Sequence, residues 1–172
     1  MVLSKSMIVY LDLFIVAALV LGAGYSYAKL RHLKAAIGQY STAYSTTEIT
    51  HENGNYFARD AAEAYAHDKG MEYWQVDSAL SGLGNLIRVP LCAAAVVLIC
   101  AAVLYFSLPM TLGYVAAVAM GLLGGFILVM GFYGLVAGDP VGRVSGLEKL
   151  AAFALFAGAA TVCFLNARYV MR

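Results

Sequence analysis

The sequence contains one carboxylate whose position demands an explanation. Asp12 stands inside the first long apolar run, which extends from about Met7 to Ala28. An ionisable side chain within a bilayer is costly, so it is a functional hypothesis by default. Two kinds of chemistry follow. The carboxylate can take up and release a proton or cation, as an ion-coupled carrier requires. Alternatively, the carboxylate, being near the end of its span, reaches the interface, or a polar partner holds it and fastens two helices together. Asn166 and Arg168, near the other end of the chain, are such partners. The structural reading is favoured: an Asp12–Asn166 or Asp12–Arg168 contact that pins the first span to the last.

The other reactive residue types are concentrated between Lys29 and Arg88. His51-Glu52 and Glu63-x-x-x-His67 bring imidazole and carboxylate within reach of each other, with Asp60 nearby and His32 upstream. Metal sites generally need three or four ligands at recognisable spacings, and no such pattern is met. A solvated polar face is the expected reading. Cys92, Cys100 and Cys163 all fall in apolar segments without a CxxC pattern, and read as small buried hydrophobes. No nucleophile elbow, phosphate-binding loop, dinucleotide fingerprint or haem-attachment motif occurs. The expectation is therefore no catalytic residue, no metal, and no cofactor beyond bound lipid. With a net charge of +1 there is no basic stripe to hold nucleic acid.

These residues must be positioned by elements that the composition already constrains. Hydrophobic residues make up 62% of the chain and charged residues 12%, too few polar side chains to cover a water-soluble fold of this size. From Val89 to Gly138 there is no Asp, Glu, Lys or Arg. As one helix that run would measure about 75 Å, more than twice the hydrocarbon thickness. It must turn back, and Ser107-Leu108-Pro109 is the natural place. The sequence thus predicts an all-α polytopic membrane protein, a four-helix bundle forming one membrane domain over residues 1–172. Its spans lie at about 7–28, 89–106, 111–137 and 146–167, with Pro90 in the first turn of the second, where a missing N–H does no harm. Ser145 and Glu148 have capping-box spacing at the start of the fourth. A competing reading makes the first span a signal peptide cleaved after Ser26-Tyr27-Ala28. The length of the apolar stretch and the positive charges that follow it oppose this.

Orientation follows from the positive charges. Lys29, Arg31, Lys34, Arg59, Lys69, Arg88, Arg143 and Lys149 share one side; Lys5, Arg168 and Arg172 share the other. The positive-inside rule puts the first set in the cytoplasm or its organellar equivalent, with both termini outside and residues 29–88 inside. A bacterial or organellar inner membrane is expected. Tyr25, Tyr27, Tyr105, Tyr114 and Tyr169 fall at the expected interfaces. The inner loop Gly138–Arg143 carries D-x-x-G-R, which is similar to the inter-helix loop motif of major-facilitator transporters. The likeness covers six residues, its preceding glycine is out of register, and nothing carries over from that family.

Two surfaces look built for contact. In the third span Gly113, Ala117, Gly121 and Gly125 recur every four residues, a small-residue stripe that allows close helix approach. The expected partners are the second span or Ala154 and Gly158 of the fourth, with self-association through the stripe as the alternative. Between Tyr73 and Ile87, the residues Val76, Leu80, Leu83 and Ile87 share a helical face beside Tyr73 and Trp74. This reads as an amphipathic helix lying on the membrane or on a partner ahead of span two. The functional expectation is a non-catalytic membrane subunit that scaffolds, anchors or helps assemble a larger complex. The alternative is a small homo-oligomeric channel, holin-like pore or ion-coupled transporter.

Overall fold

The computed structural model describes residues 4–44, 54–106, 110–136 and 145–171. These form α1 (Lys5–Tyr44), α2 (Gly54–Asp68), α3 (Tyr73–Phe106), α4 (Met110–Val136) and α5 (Gly146–Val170). The protein is an all-α four-helix membrane bundle, with one additional helix among the described residues. Within α1, α3, α4 and α5 are stretches long and apolar enough to cross a membrane. With no water in the hydrocarbon, each backbone N–H must be satisfied inside its own segment, which the helix does. Large side chains such as Leu21, Phe126, Leu122 and Tyr133 are left exposed on the bundle, as a lipid-facing surface requires.

The described residues divide into two compact units, where the sequence pointed to a single domain. One contains α1 up to Ala23, α3 from Arg88, and all of α4 and α5. Its core joins Leu19, Ala94, Val97, Met120, Ile127, Phe156 and Val162. Within it α4 and α5 pack on each other. The buried line along α4 runs Gly113, Ala117, Met120, Gly124, Ile127, Gly131, and along α5 it runs Phe156, Ala160, Cys163, Ala167. Alternating steps of four and three residues keep a seam facing a partner helix. Three glycines bring the backbones together: a Cβ would meet Val170 at 3.3 Å from Gly113, Cys163 at 3.1 Å from Gly124, and Phe156 at 2.5 Å from Gly131. The paired residue numbers rise along one helix as they fall along the other, so the two helices are antiparallel.

This corrects the expected stripe. Gly113 and Ala117 lie on the seam, but a Cβ on Gly121 or Gly125 would have nothing within 4 Å. Four residues make more than one helical turn, so a strict four-residue repeat drifts round the helix and leaves the contact line. Gly124 and Gly131 take the places that Gly121 and Gly125 were expected to fill. On α5, Ala154 is exposed, and Gly158 lies against Ile15 of α1, whose Cδ1 would stand 2.9 Å from an added Cβ.

The second unit, residues 24–87, has its own apolar core of Leu33 and Ile37 from α1, Ala61, Ala62, Tyr65 and Ala66 from α2, and Val76, Ala79 and Leu83 from α3. Its elements are capped locally. Gly70 takes φ 64°, a left-handed conformation. It ends α2 in a Schellman motif, with Met71 N–H donating to Ala66 O at 2.8 Å and Gly70 N–H to His67 O at 3.1 Å. At the next start, Gln75 Oε1 accepts from Glu72 N–H at 3.0 Å.

The face expected to lie on membrane or partner is therefore largely covered by the chain itself. Val76 and Leu83 are buried, and Tyr73 and Leu80 are packed against the same core. Ile87 is half-buried, and Trp74 alone of that set is exposed. The physical reason is that α1 continues as helix to Tyr44 and α2 supplies small alanines, so an apolar groove is available within the chain. The second span and its approach are also one helix, with Pro90 in its interior rather than its first turn. Proline lacks an N–H for the preceding turn, a loss that membrane helices tolerate when neighbours compensate. The expected span bounds otherwise differ by a few residues, α5 running on to Val170. Ser107–Pro109 and Gly138–Arg143, assigned to turns from the sequence, lie outside the described residues, as does His51.

Candidate functional site

Among the described residues, the polar site in the interior of the bundle unit is built from opposite ends of the sequence. Asp12 on α1 and Asn166 on α5 are both fully buried. Asn166 Nδ2 donates to Asp12 Oδ1 at 3.0 Å and to Oδ2 at 3.1 Å. Local structure sets up the meeting. Ser4 starts α1 by accepting from Met7 N–H at 3.3 Å, and Ser145 starts α5 in a full capping box with Glu148. Ile15 against Gly158 and Leu155 beside Gly22 then fix the two helices side by side.

Of the two expected partners, Asn166 makes the contact. Arg168 is exposed and forms no ion pair with Asp12. Two residues along a helix are about 200° apart, so Asn166 and Arg168 cannot face one neighbour together. Lys5, near the same end of α1, donates to Tyr105 O at 3.1 Å and lies 5.9 Å from the Tyr105 ring centroid.

A second pair lies in the same core. Cys100 of α3 and Cys163 of α5 are buried, with the Cys100 thiol donating to Cys163 Sγ at 4.0 Å. Sequence reading treated the cysteines separately as small hydrophobes. Burial agrees for these two, whereas Cys92 is exposed. Their meeting depends on tertiary pairing of α3 with α5, for which spacing along the chain gives no signal. Asn166 Oδ1 completes the picture: it is buried and has no hydrogen-bond partner among the described residues.

Of the other unit's histidine and carboxylate cluster, His51 and Glu52 lie outside the described residues, and the described members hold no metal geometry. Asp60, Glu63 and His67 are exposed on α2 and His32 is exposed on α1. Among the described residues no group of three His, Cys, Asp or Glu side chains is placed to hold a metal ion. An open groove of about 330 Å³ is lined by Lys29, His32, Leu33, Ala36 and Leu83. Its basic member Lys29 lies over the Tyr25 ring at 5.0 Å.

Comparison with known protein families, with curated proteins and with solved structures finds no match.

The same unit has a polar fastening that the sequence did not indicate. Tyr40 OH of α1 donates to Asp68 Oδ2 of α2 at 2.6 Å, and Lys69 Nζ stands 3.2 Å from the same oxygen. The Tyr40 hydroxyl, followed by the Lys69 ammonium, holds the Asp68 carboxyl below its usual range. Tyr40 also meets Tyr65 edge to face, with centroids 5.6 Å apart. These contacts join α1 to α2 across a long sequence separation.

Proposed function

We propose that this protein is a non-catalytic membrane subunit. Its bundle anchors it, and the unit of residues 24–87 is the surface on which the rest of a complex docks. The observation that carries this reading is the separate core of that unit, from Leu33 and Ile37 through Tyr65 to Val76 and Leu83. A segment meant to lie in a lipid interface keeps its apolar face for the lipid. Here that face is used internally, and the outer surface bears Glu63, His67, Asp77 and Asn85 together with exposed Trp74. An exposed tryptophan among polar side chains is the kind of residue that anchors protein interfaces.

In this reading both termini face away from the cytoplasm or its organellar counterpart, and residues 29–88 face into it, following the excess of Lys and Arg. A channel is the weaker reading, because conduction needs a polar stripe. The bundle core is filled by Leu19, Val97, Ile127, Phe156 and Val162. Purification of the tagged chain from its native membrane in mild detergent tests the proposal. The expected result is a stoichiometric second polypeptide that is lost when Trp74 and Asp77 are replaced. A lone homo-oligomer that conducts ions in liposomes refutes it.

A further inference from the structure

We propose that the Asp12–Asn166 pair is a binding site for one monovalent cation within the bundle. A carboxylate offers about four acceptor positions. Among the described residues, the donor that reaches it is a single amide group, Asn166 Nδ2, at 3.0 and 3.1 Å. The other end of that amide, Asn166 Oδ1, is buried and unpartnered. The pair therefore encloses a surplus of oxygen acceptors and a negative charge, on helices apolar enough to span a membrane.

No basic side chain among the described residues offsets that charge. Arg168 is exposed, and α4 contributes no charged residue. The titratable groups that sense Asp12 electrostatically are the thiols of Cys100 from α3 and Cys163 from α5, of which Cys100 donates to Cys163 Sγ at 4.0 Å. A buried polar group without a partner is destabilising, and a lone buried charge more so. Both deficits vanish with one added positive charge.

A proton does this by making Asp12 a donor to Asn166 Oδ1 once the amide turns over, while Nδ2 donates back to the second carboxyl oxygen. Amide orientation is open to this exchange, because oxygen and nitrogen are nearly alike in shape. A sodium or lithium ion does it after the same turnover of the amide, by direct coordination to the carboxylate oxygens and Oδ1. A divalent ion is disfavoured: calcium takes about 6–8 oxygen ligands and magnesium an octahedral set, whereas this pair brings one charge and few oxygens. The inference is independent of the docking reading, since a subunit and a carrier can each hold such a site.

Thermal unfolding of the full chain in dodecyl maltoside, followed by circular dichroism, tests it against Asp12→Asn. The neutral amide keeps the shape of the side chain and removes the charge. A ligand that binds the folded form alone raises its melting temperature. With a proton in the site, the melting temperature of the wild type gains several degrees on that of the variant as pH falls from 8.5 to 5.5 in choline chloride. With a metal ion, the gain comes at pH 8.5 when sodium or lithium chloride replaces choline chloride. A wild type and variant that respond alike to both changes overturn the proposal.

Should the variant not fold, dicyclohexylcarbodiimide labelling of the wild type decides. An adduct at Asp12 that falls severalfold at high pH or with sodium supports the site. No adduct at Asp12, or one indifferent to both, refutes it.

Discussion

Gly131 and Phe156 leave no room for a side chain between α4 and α5. A Cβ added to Gly131 would stand 2.5 Å from Phe156 Cβ, well inside van der Waals contact, and the obstructing atom cannot swing away because it is attached to the backbone. Gly131→Ala is therefore expected to destabilise the bundle by about 1–3 kcal/mol, the usual cost of overpacking. Gly121→Ala and Gly125→Ala meet nothing within 4 Å. They are expected to be neutral, or stabilising by up to about 1 kcal/mol through helix propensity. Melting in detergent separates the two classes, and equal losses at positions 121 and 131 would reject the seam.

The Asp12–Asn166 contact makes a different demand. Replacing Asn166 by Leu leaves the Asp12 carboxylate without the donor it has at 3.0 and 3.1 Å. The expected loss is about 3 kcal/mol or more. Leu122→Ala, at a position 72% exposed, should cost far less. Refolding equilibria in mixed micelles compare the two, and an Asn166→Leu variant as stable as Leu122→Ala would mean the contact contributes nothing.

The link between Tyr40 and Asp68 predicts an acid-sensitive unit. Asp68 has a folded pKa below its unfolded value, because the Tyr40 hydroxyl and then the Lys69 ammonium favour the carboxylate. Its contribution is present above the unfolded pKa and fades as pH falls through the folded one. Amide exchange in residues 60–70 should accelerate as pH is lowered through the carboxylate range, after correction for intrinsic rates. Tyr40→Phe should remove most of the change. An equal acid response in Tyr40→Phe would assign it elsewhere.

At α5, Ser145 Oγ accepts from Glu148 N–H at 3.2 Å while Glu148 Oε2 accepts from Ser145 N–H at 2.7 Å. Ser145→Ala breaks half of this box and is expected to cost about 1 kcal/mol. The loss should appear as faster exchange in the first turn of α5, leaving the Asp12 end of the bundle unchanged. A loss spread evenly over the bundle would contradict a local cap.

How much of this the sequence revealed depended on the range of the interaction. The four spans were legible because lipid permits few structures for long apolar runs, and the Ser145 box because its partners are three residues apart. Gly121 and Gly125 do not pack within the chain as first expected, because spacing in the chain does not say which turn of a helix a neighbour approaches. The face of Val76 and Leu83 was legible as apolar, but what covers it was not. Its partners Leu33 and Tyr65 come from other helices. For Asp12 the sequence narrowed the choice to two partners, and only the packing of α1 on α5 selected Asn166. Cys100 with Cys163, and Tyr40 with Asp68, are purely tertiary and left no trace in local patterns.

The central claim is that residues 24–87 form the docking surface while the bundle faces lipid. Site-specific photo-crosslinking in the native membrane tests this directly, with the reactive side chain placed at Trp74 or at Phe126, which are 55% and 63% exposed. The expected result is a discrete adduct with another polypeptide from position 74, and lipid adducts from position 126. Protein adducts from position 126 alone, with none from 74, would contradict it.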